Sequence, residues 1–487
     1  MKKLNRSTAN IEEQLPVKIV QFGEGNFLRA FADWMIQKLN DTAGYNAGVA
    51  VVQPIEHGMV DMLNAQDGLY HHKMRGLSGG NVIDETNLIS CIQQCINPFD
   101  NQKAFYELAK EEDLEVIISN TTEAGIVFND DDLPGEGELA KTFPGKLTQF
   151  LHSRYEALAD LSNKELAVIP CELIDRNGDK LKSAIENYIS LWGLSMQFKE
   201  WINDSIYFGN TLVDRIVPGF PREEINNIQQ EIDYEDNLVV ASESFHLWVI
   251  EGPEKLKQFF PAENTDLNVK FVDNLTPYRT RKVRILNGSH TTMVPTGLLY
   301  GLETVKETVE DKYMGRFVKN VMFEEIIPTI DLPQTELEEF ANSVIERFQN
   351  PFIRHELKSI ALNSVSKFKV RVLPVILDFI ERKNEAPQLL CLGFAGLIKF
   401  YLDGTHGKHE LLNDDKAVLE YFVEIDPQID SDKLVELVLG NEDFWGRSLL
   451  NNEQLVASVK KSLEAINHNG VQNTIKKLDY VTSNNNK

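Results

Sequence analysis

Residues 17–31, Val-Lys-Ile-Val-Gln-Phe-Gly-Glu-Gly-Asn-Phe-Leu-Arg-Ala-Phe, constrain the fold more than any other stretch of the chain. A β-rich run, Lys18–Phe22, ends at Gly23 and Gly25. Phe27, Phe31, Trp34, Met35 and Leu39 then recur near the three-to-four spacing of a helix. Strand, glycine turn and helix in that order bring the backbone N–H groups of a helix start within reach of a phosphate. The turn departs from a full Gly-x-Gly-x-x-Gly, because Leu28 stands at the third glycine. A plain tight turn is the other reading of these residues.

The segments that follow repeat the alternation. Strand candidates are Gly48–Gln53, Leu88–Cys95, Leu114–Asn120, Leu166–Pro170 and Val239–Ala241. Helical patterns fill Phe27–Leu39, Gln102–Glu111, Pro144–Leu161 and Lys180–Leu191. Such alternation predicts right-handed crossovers and a mainly parallel sheet. Phe245–Glu251 and Asn268–Val272 read as further strands. From about Arg279 long helical patterns take over: Arg281–Leu299, Met314–Ile327, Glu336–Gln349, Pro351–Lys383, Pro387–Leu402 and Lys416–Glu424. Pro295 and Pro374 are expected to kink or divide two of them. Residues 430–480 are amphipathic helix again, and Ser483–Lys487 reads as a frayed polar tail. The expected fold class is α/β: a Rossmann-type, mainly parallel sheet domain over 1–278, then an all-α substrate-binding domain over 279–487, with a cleft between the two.

A chain of 487 residues is too long for one core, which agrees with two domains. The formal net charge of −25 argues against a nucleic-acid or anionic-membrane surface, and requires an anionic substrate to find its cations locally. No secretory leader or uncharged apolar run of membrane-spanning length is visible. Cys91, Cys95, Cys171 and Cys391 form neither a disulfide framework nor a zinc spacing, which fits a reducing cytoplasm. His71-His72 and His406-Gly-Lys-His-Glu410 read as ordinary histidines, and no metal is expected.

In the second half, Arg281-Lys-Val-Arg-Ile-Leu-Asn-Gly-Ser-His290 carries Lys282, Asn287 and His290 at offsets of five and eight. On a regular helix these positions lie about 140° and about 80° round from the lysine. They line one cavity wall, or else a solvated face. An amine that can lose its proton, an amide donor and an imidazole suit alcohol–carbonyl interconversion.

These residues together resemble the polyol-specific long-chain dehydrogenase/reductase family, which includes the mannitol dehydrogenases. Lys282, Asn287 and His290 match its Lys-x4-Asn-x2-His. Asn210-Thr-Leu-Val-Asp-Arg-Ile-Val-Pro218 resembles its Val-Asp-Arg-Ile-x-Pro, and Phe245-His-Leu-Trp-Val-Ile-Glu251 its Phe-x-x-Trp-Val-Ile-Glu strand. Cys171 with Asn177-Gly178 resembles its Cys-Asp-Asn…Asn-Gly, although Glu172-Leu173 replaces Asp-Asn. Asp67-Gly-Leu-Tyr70 also matches a family segment, and otherwise reads as a plain turn. Within the family, Gln21–Phe31, Ser119–Ile126, Pro170–Asp175 and Thr211–Ile216 most resemble members acting on sugar acids. The resemblance implies NAD-dependent interconversion of D-altronate and D-tagaturonate. Mannonate or mannitol as substrate, or a silent NAD-binding regulator, are the alternatives.

The resemblance also implies roles. Ile19, Val20, Gln21, Phe22, Gly23, Glu24, Gly25, Asn26, Phe27, Leu28, Arg29 and Ala30 would hold the dinucleotide. Lys282 would be the base; an ordinary lysine, with a pKa of about 10.4, is protonated at neutral pH, so this role asks for burial or a nearby cation such as the nicotinamide or Arg281. Asn287 and Asn177 would donate to the reacting oxygen, and His290 would bind a substrate hydroxyl. Asp214 would orient a side chain or bind a hydroxyl, unless it simply pairs with Arg215. Lys367 and Arg371 would meet the sugar acid's carboxylate, with a solvated helix face as the other reading of Arg371. Gln53 stands where an acid usually binds the ribose, and no arginine sits there for a 2′-phosphate, so NAD is expected rather than NADP. Oligomeric state is not legible.

Overall fold

The computed structural model describes residues 1–121, 125–158, 164–263 and 265–482. The expected tail Ser483–Lys487, the last turn of the expected Pro144–Leu161 helix and residues 122–124 of the Ser119–Ile126 segment lie outside them. The chain divides into two compact units: Met1–Gly76 with Val82–Leu275, and Leu77–Asn81 with Thr276–Lys487.

The first unit is built on six parallel strands. They are β1 (Val17–Phe22), β2 (Gly48–Val52), β5 (Ile92–Ile96), β6 (Val116–Ser119), β7 (Leu166–Pro170) and β8 (Ile206–Phe208), in the order β5-β2-β1-β6-β7-β8. Because successive strand residues face opposite ways, the apolar runs feed two cores. Ile19, Val49, Val51, Val116 and Ile118 pack on one face. Val20, Phe22, Ala50, Val52, Ile117 and Val168 pack on the other. Burial on both faces explains why these strands read as continuous apolar runs. Helix α2 (Ala32–Ala43) covers the first face with Trp34, Met35, Ile36 and Leu39. Helices α3 (Phe143–Ala157) and α4 (Asn177–Leu191) cover the second with Leu147, Phe150, Leu181 and Ile185.

Two three-stranded sheets accompany the parallel one. One contains β9 (Asn210–Asp214), β11 (Leu247–Glu251) and β12 (Val269–Val272), in that order. The other has the order β10 (Val240–Glu243), β3 (Tyr70–Ser78), β4 (Asn81–Ile89). The β3–β4 hairpin was missed in the sequence, although Gly79-Gly80 is a hairpin signal, and both glycines have positive φ (57° and 78°). The single strand expected over Leu88–Cys95 is two, β4 and β5, broken where the Ser90 N–H donates to Gln37 Oε1 instead of a neighbouring strand (2.9 Å).

The helix expected over Phe27–Leu39 is also two, α1 (Asn26–Ala30) and α2, divided at Phe31 (φ −122°, ψ −74°). The cause is local. Tyr70 Oη takes the Arg29 carbonyl (2.8 Å) and Arg215 the Ala30 carbonyl (2.7 Å), so both are occupied by side chains.

The second unit is helical apart from the short segment 77–81. Its first helices are α5 (Thr276–Arg281), a π-helix over Lys282–Gly288, and α6 (Ser289–Tyr300). Further along come α7 (Gln334–Phe348), α8 (Ser364–Arg371), α9 (Leu373–Lys383), α10 (Gln388–Thr405) and α11 (Glu453–Thr482). The long helix expected over Pro351–Lys383 is instead three pieces, because Asn363 takes a left-handed conformation (φ 53°) and Pro374 starts α9. A proline there forfeits an N–H that has no partner in the first turn anyway. Pro295 stays inside α6. No helix of the described residues is long and apolar enough to cross a membrane.

Candidate active site

The glycine turn of the first unit lies where the strand order reverses. The chain leaves β1 toward β2 and β5, then returns on the other side at β6, so the carboxyl ends of β1 and β6 flank the switch point where ligands of such sheets bind. Gly23 lies there with φ +124°, its N–H donating to the Val52 carbonyl (3.0 Å). A Cβ at this position would stand 2.8 Å from the Asn120 carbonyl oxygen just past β6, so only glycine fits. Gly25 and Asn26 are exposed, and open space faces the Gly25 Cα. Backbone is therefore presented to a ligand at the start of α1, which is what a pyrophosphate requires. Phe27 is half-buried.

The remaining residues of the stretch are scaffold. Ile19, Val20, Gln21, Phe22, Leu28, Arg29 and Ala30 are buried. The Arg29 side chain is spent on the Glu24 and Leu238 carbonyls and Asn26 Oδ1 (3.2, 2.6 and 2.7 Å), and burial lowers its pKa. Leu28, in the place of the third glycine, packs against Gly23 with its Cδ1 3.3 Å from where a Cβ would be. Glu24 accepts from the Met59 N–H (3.2 Å), and burial raises its pKa. Gln53 turns inward to the Ile55 and Glu56 carbonyls (2.9 and 3.1 Å). Lining a neighbouring cavity of about 920 Å³ are Arg6, Asn64, Gln93, Asn97 and Asp100 among others, but none of the glycine-turn residues.

Two expected catalytic residues fall in this first unit. Asn177 opens α4 fully buried. Its amide nitrogen has the Pro170 and Glu172 carbonyls and Thr211 Oγ1 as acceptors (3.0, 3.1 and 3.1 Å), and its Oδ1 accepts from the Gly178 and Thr211 N–H groups. Both amide hydrogens of Asn177, expected to serve the substrate oxygen, have acceptors within the fold. Asp214 ends β9, buried. Arg215 is engaged elsewhere, on the Glu243 and Ala30 carbonyls and over the Trp34 ring.

The other expected residues share the second unit. Lys282 opens the π-helix half-buried, Asn287 is half-buried near its end, and His290 lies in the first turn of α6, 8% exposed. The π-helix is the main local surprise. Its i→i+5 bonding adds a residue to the turn, so the angular offsets of a regular helix do not hold; such insertions are frequent at functional sites. Ser289, Thr291 and Thr292 return their hydroxyls to the Ile285, Asn287 and Gly288 carbonyls (2.5, 2.8 and 2.9 Å), satisfying acceptors at the transition. At Gly288 a Cβ would meet the Arg371 carbonyl oxygen at 3.3 Å, so this glycine lets α8 come close.

His290 stacks on Phe348 (4.2 Å between centroids, 20°) and stands edge-on to His355 (5.2 Å, 85°). Its Nε2 is buried with no hydrogen-bond partner among the described residues. Burial, then the charges of His355, Arg347, Arg371 and Lys367, push its pKa well below the usual imidazole range, so the ring is neutral. Lys367 and Arg371, both half-buried on α8, therefore form with Arg347 a cationic group around His290. Lys367 spends one N–H on the Ile360 carbonyl (2.9 Å). Burial lowers the pKa of Lys367 and Arg371, and Arg371 further lowers that of Lys367 against the opposing charge of Asp414. Arg281 pairs with Glu336 (2.7 Å) and stacks on Phe340.

Arg347, Phe348 and His355 went unnoticed in the sequence. Nothing in their spacing points to His290. The histidines considered for a metal are engaged with the protein: His71 with Asp236, His72 with Ser242, His406 and His409 with the Leu402 and Phe400 carbonyls.

Residues 17–261 match the mannitol dehydrogenase Rossmann domain, and residues 274–467 the mannitol dehydrogenase C-terminal domain. The altronate oxidoreductase of Phocaeicola vulgatus is 45% identical over 98% of this chain and 99% of its own. Among solved structures, a D-sorbitol dehydrogenase in substrate-free form superposes with a TM-score of 0.79 at 22% identity, covering 97% of this chain and all (100%) of that one. The mannitol 2-dehydrogenase of Pseudomonas fluorescens, a ternary complex with NAD and D-mannitol, gives 0.66 at 22% identity, over 98% and 99%. At that identity the last two speak for the fold.

Proposed function

The chain belongs to the mannitol dehydrogenase family, and from that premise we propose that it interconverts D-altronate and D-tagaturonate with NAD(H). The reading draws its substrate from relatives named altronate oxidoreductase. The observation that carries it is a buried His290 whose Nε2 has no hydrogen-bond partner among the described residues, and on which the charges of Arg347, Arg371 and Lys367 act. Cationic side chains that act on the proposed hydroxyl-binding histidine suit a sugar acid better than a neutral polyol. In a chain of net charge −25, cations gathered in one place against the overall field mark an anion's position.

Residues 23–26 suit a dinucleotide: backbone is exposed at Gly25 and Asn26, and Gly23 permits the close approach. When bound, NAD supplies the acceptor and donor of hydride. This chain's residues handle the proton and the oxygen. Lys282 takes the hydroxyl proton of the alcohol and returns it to the carbonyl oxygen in the reverse direction. Asn287 donates an N–H to that oxygen as charge develops, a contribution worth roughly 3 kcal/mol in the transition state. His290 bonds a neighbouring substrate hydroxyl through Nε2, and Arg371 and Lys367 take the carboxylate. The partner is thus a small sugar acid, with no role for nucleic acid, in a cytoplasmic setting where the four free cysteines stay reduced.

The test follows NADH absorbance with D-tagaturonate in the presence of a chelator. D-altronate, D-mannonate and D-mannitol are then compared with NAD. Preference for mannitol would overturn the substrate assignment, and inhibition by the chelator would overturn the lysine chemistry.

A further inference from the structure

Beneath the glycine turn lies a buried polar cluster that the proposed chemistry does not use. Gln21, on β1, is 0% exposed and donates from Nε2 to the Gly23 carbonyl (3.0 Å) and to Asp33 Oδ2 (3.4 Å). Asp33, on α2, is likewise 0% exposed. Tyr70 Oη, from β3, lies 3.2 Å from Asp33 Oδ2 and 2.8 Å from the Arg29 carbonyl of α1. One network therefore ties the turn to both helices that follow it and to a strand of another sheet.

We propose that Asp33 is a positioning residue for dinucleotide binding, acting through the Gln21 amide that fixes the Gly23 carbonyl. The inference rests on the dinucleotide reading of the glycine turn and adds a residue that does not touch the ligand.

Its protonation follows from a count of hydrogens. The two amide hydrogens of Gln21 and the hydroxyl hydrogen of Tyr70 are the donors for four acceptor oxygens, Gly23 O, Arg29 O and both of Asp33. Gln21 Oε1 and Asp33 Oδ1 are buried with no donor. A proton on Asp33 reduces that deficit and removes a buried charge, whose desolvation is costly. Burial pushes the Asp33 pKa up to about 7, against the opposing effects of Gln21, Tyr70 and Arg29. The other titratable groups around Asp33 are Cys91 and Cys95, both raised by burial and so uncharged at neutral pH. Among the described residues, Arg29 is the charge that favours ionised Asp33. Asparagine mimics the protonated acid in shape and hydrogen count; alanine removes the tie to Gln21.

NADH affinity of the full-length chain, read by fluorescence titration from pH 5.5 to 8.5, separates the possibilities. Parent affinity is expected to weaken severalfold as pH rises through about 7. Asp33→Asn should stay within about threefold of the parent at pH 6 and lose that dependence. Asp33→Ala should bind at least tenfold more weakly, with KM for NADH raised and kcat changed much less. Equal affinity in parent and alanine variant, both folded by circular dichroism, would overturn the proposal. So would an asparagine variant as weak as the alanine one. A parent that binds no NADH at any pH would instead refute the dinucleotide reading itself.

Discussion

Replacing Gly23 by alanine tests the link between turn geometry and cofactor affinity. Two penalties act together. The backbone at φ +124° is one that L-residues rarely adopt; holding an ordinary residue there costs about 1–3 kcal/mol. The new methyl would also stand 2.8 Å from the Asn120 carbonyl oxygen. Asn120 cannot retreat freely, because its N–H donates to the Phe22 carbonyl (3.0 Å) and its Nδ2 to the Cys171 carbonyl (2.8 Å). The turn must give way instead, and with it the backbone offered at Gly25 and Asn26. If the strain appears wholly in binding, about 1–3 kcal/mol corresponds to a loss of roughly 5- to 150-fold at 1.4 kcal/mol per decade. Fluorescence titration with NADH reads the loss, and a thermal melt reads any part that appears in stability. A variant matching the parent in both measurements would refute the reasoning.

Three further outcomes follow from the second unit. Lys282→Ala should lower kcat by about 10²–10⁴, the usual worth of a general base, with NADH binding nearly intact by titration; parent-like turnover would remove Lys282 from the base's role. Arg371→Met should raise KM for the sugar acid by about 10- to 100-fold in steady-state kinetics, the worth of one charge-assisted hydrogen bond of about 1.5–3 kcal/mol, and an unchanged KM would return Arg371 to the scaffold. His290 is held neutral in the fold, whereas the unfolded chain protonates it near pH 6.5. Stability should therefore fall as pH drops below about 6.5, by up to about 1.4 kcal/mol per pH unit for this one group. The pKa values of His72 and His246 are lowered too, the latter to about 4, so the whole chain loses more. Denaturant midpoints for His290→Phe should show a shallower acid slope than the parent, and an identical slope would count against a buried neutral ring.

Sequence alone determined the elements whose cause is local. Leu166–Pro170 is a strand with the bounds its apolar run predicts, because both faces of the sheet are covered and each residue must be apolar. Strand, glycine turn and helix at 17–31 were legible for the same reason: positive φ and close approach select glycine at position 23 itself. Tertiary structure decided what depends on partners distant in the chain. Tyr70 and Arg215 broke the helix at Phe31 by taking its carbonyls, and no pattern within 27–39 announces donors from so far away. The acceptors that Pro170 and Thr211 offer the Asn177 amide are likewise announced by no spacing around position 177. Lys282 and His290 were found by spacing, yet the turn joining them is a π-helix, whose extra residue repeats no sequence period. Arg347, Phe348 and His355 converge on one imidazole only after α7 and α6 have packed. Periodicity reports which side of an element is buried; which polar atoms then meet is set by the packing of elements that the period cannot see.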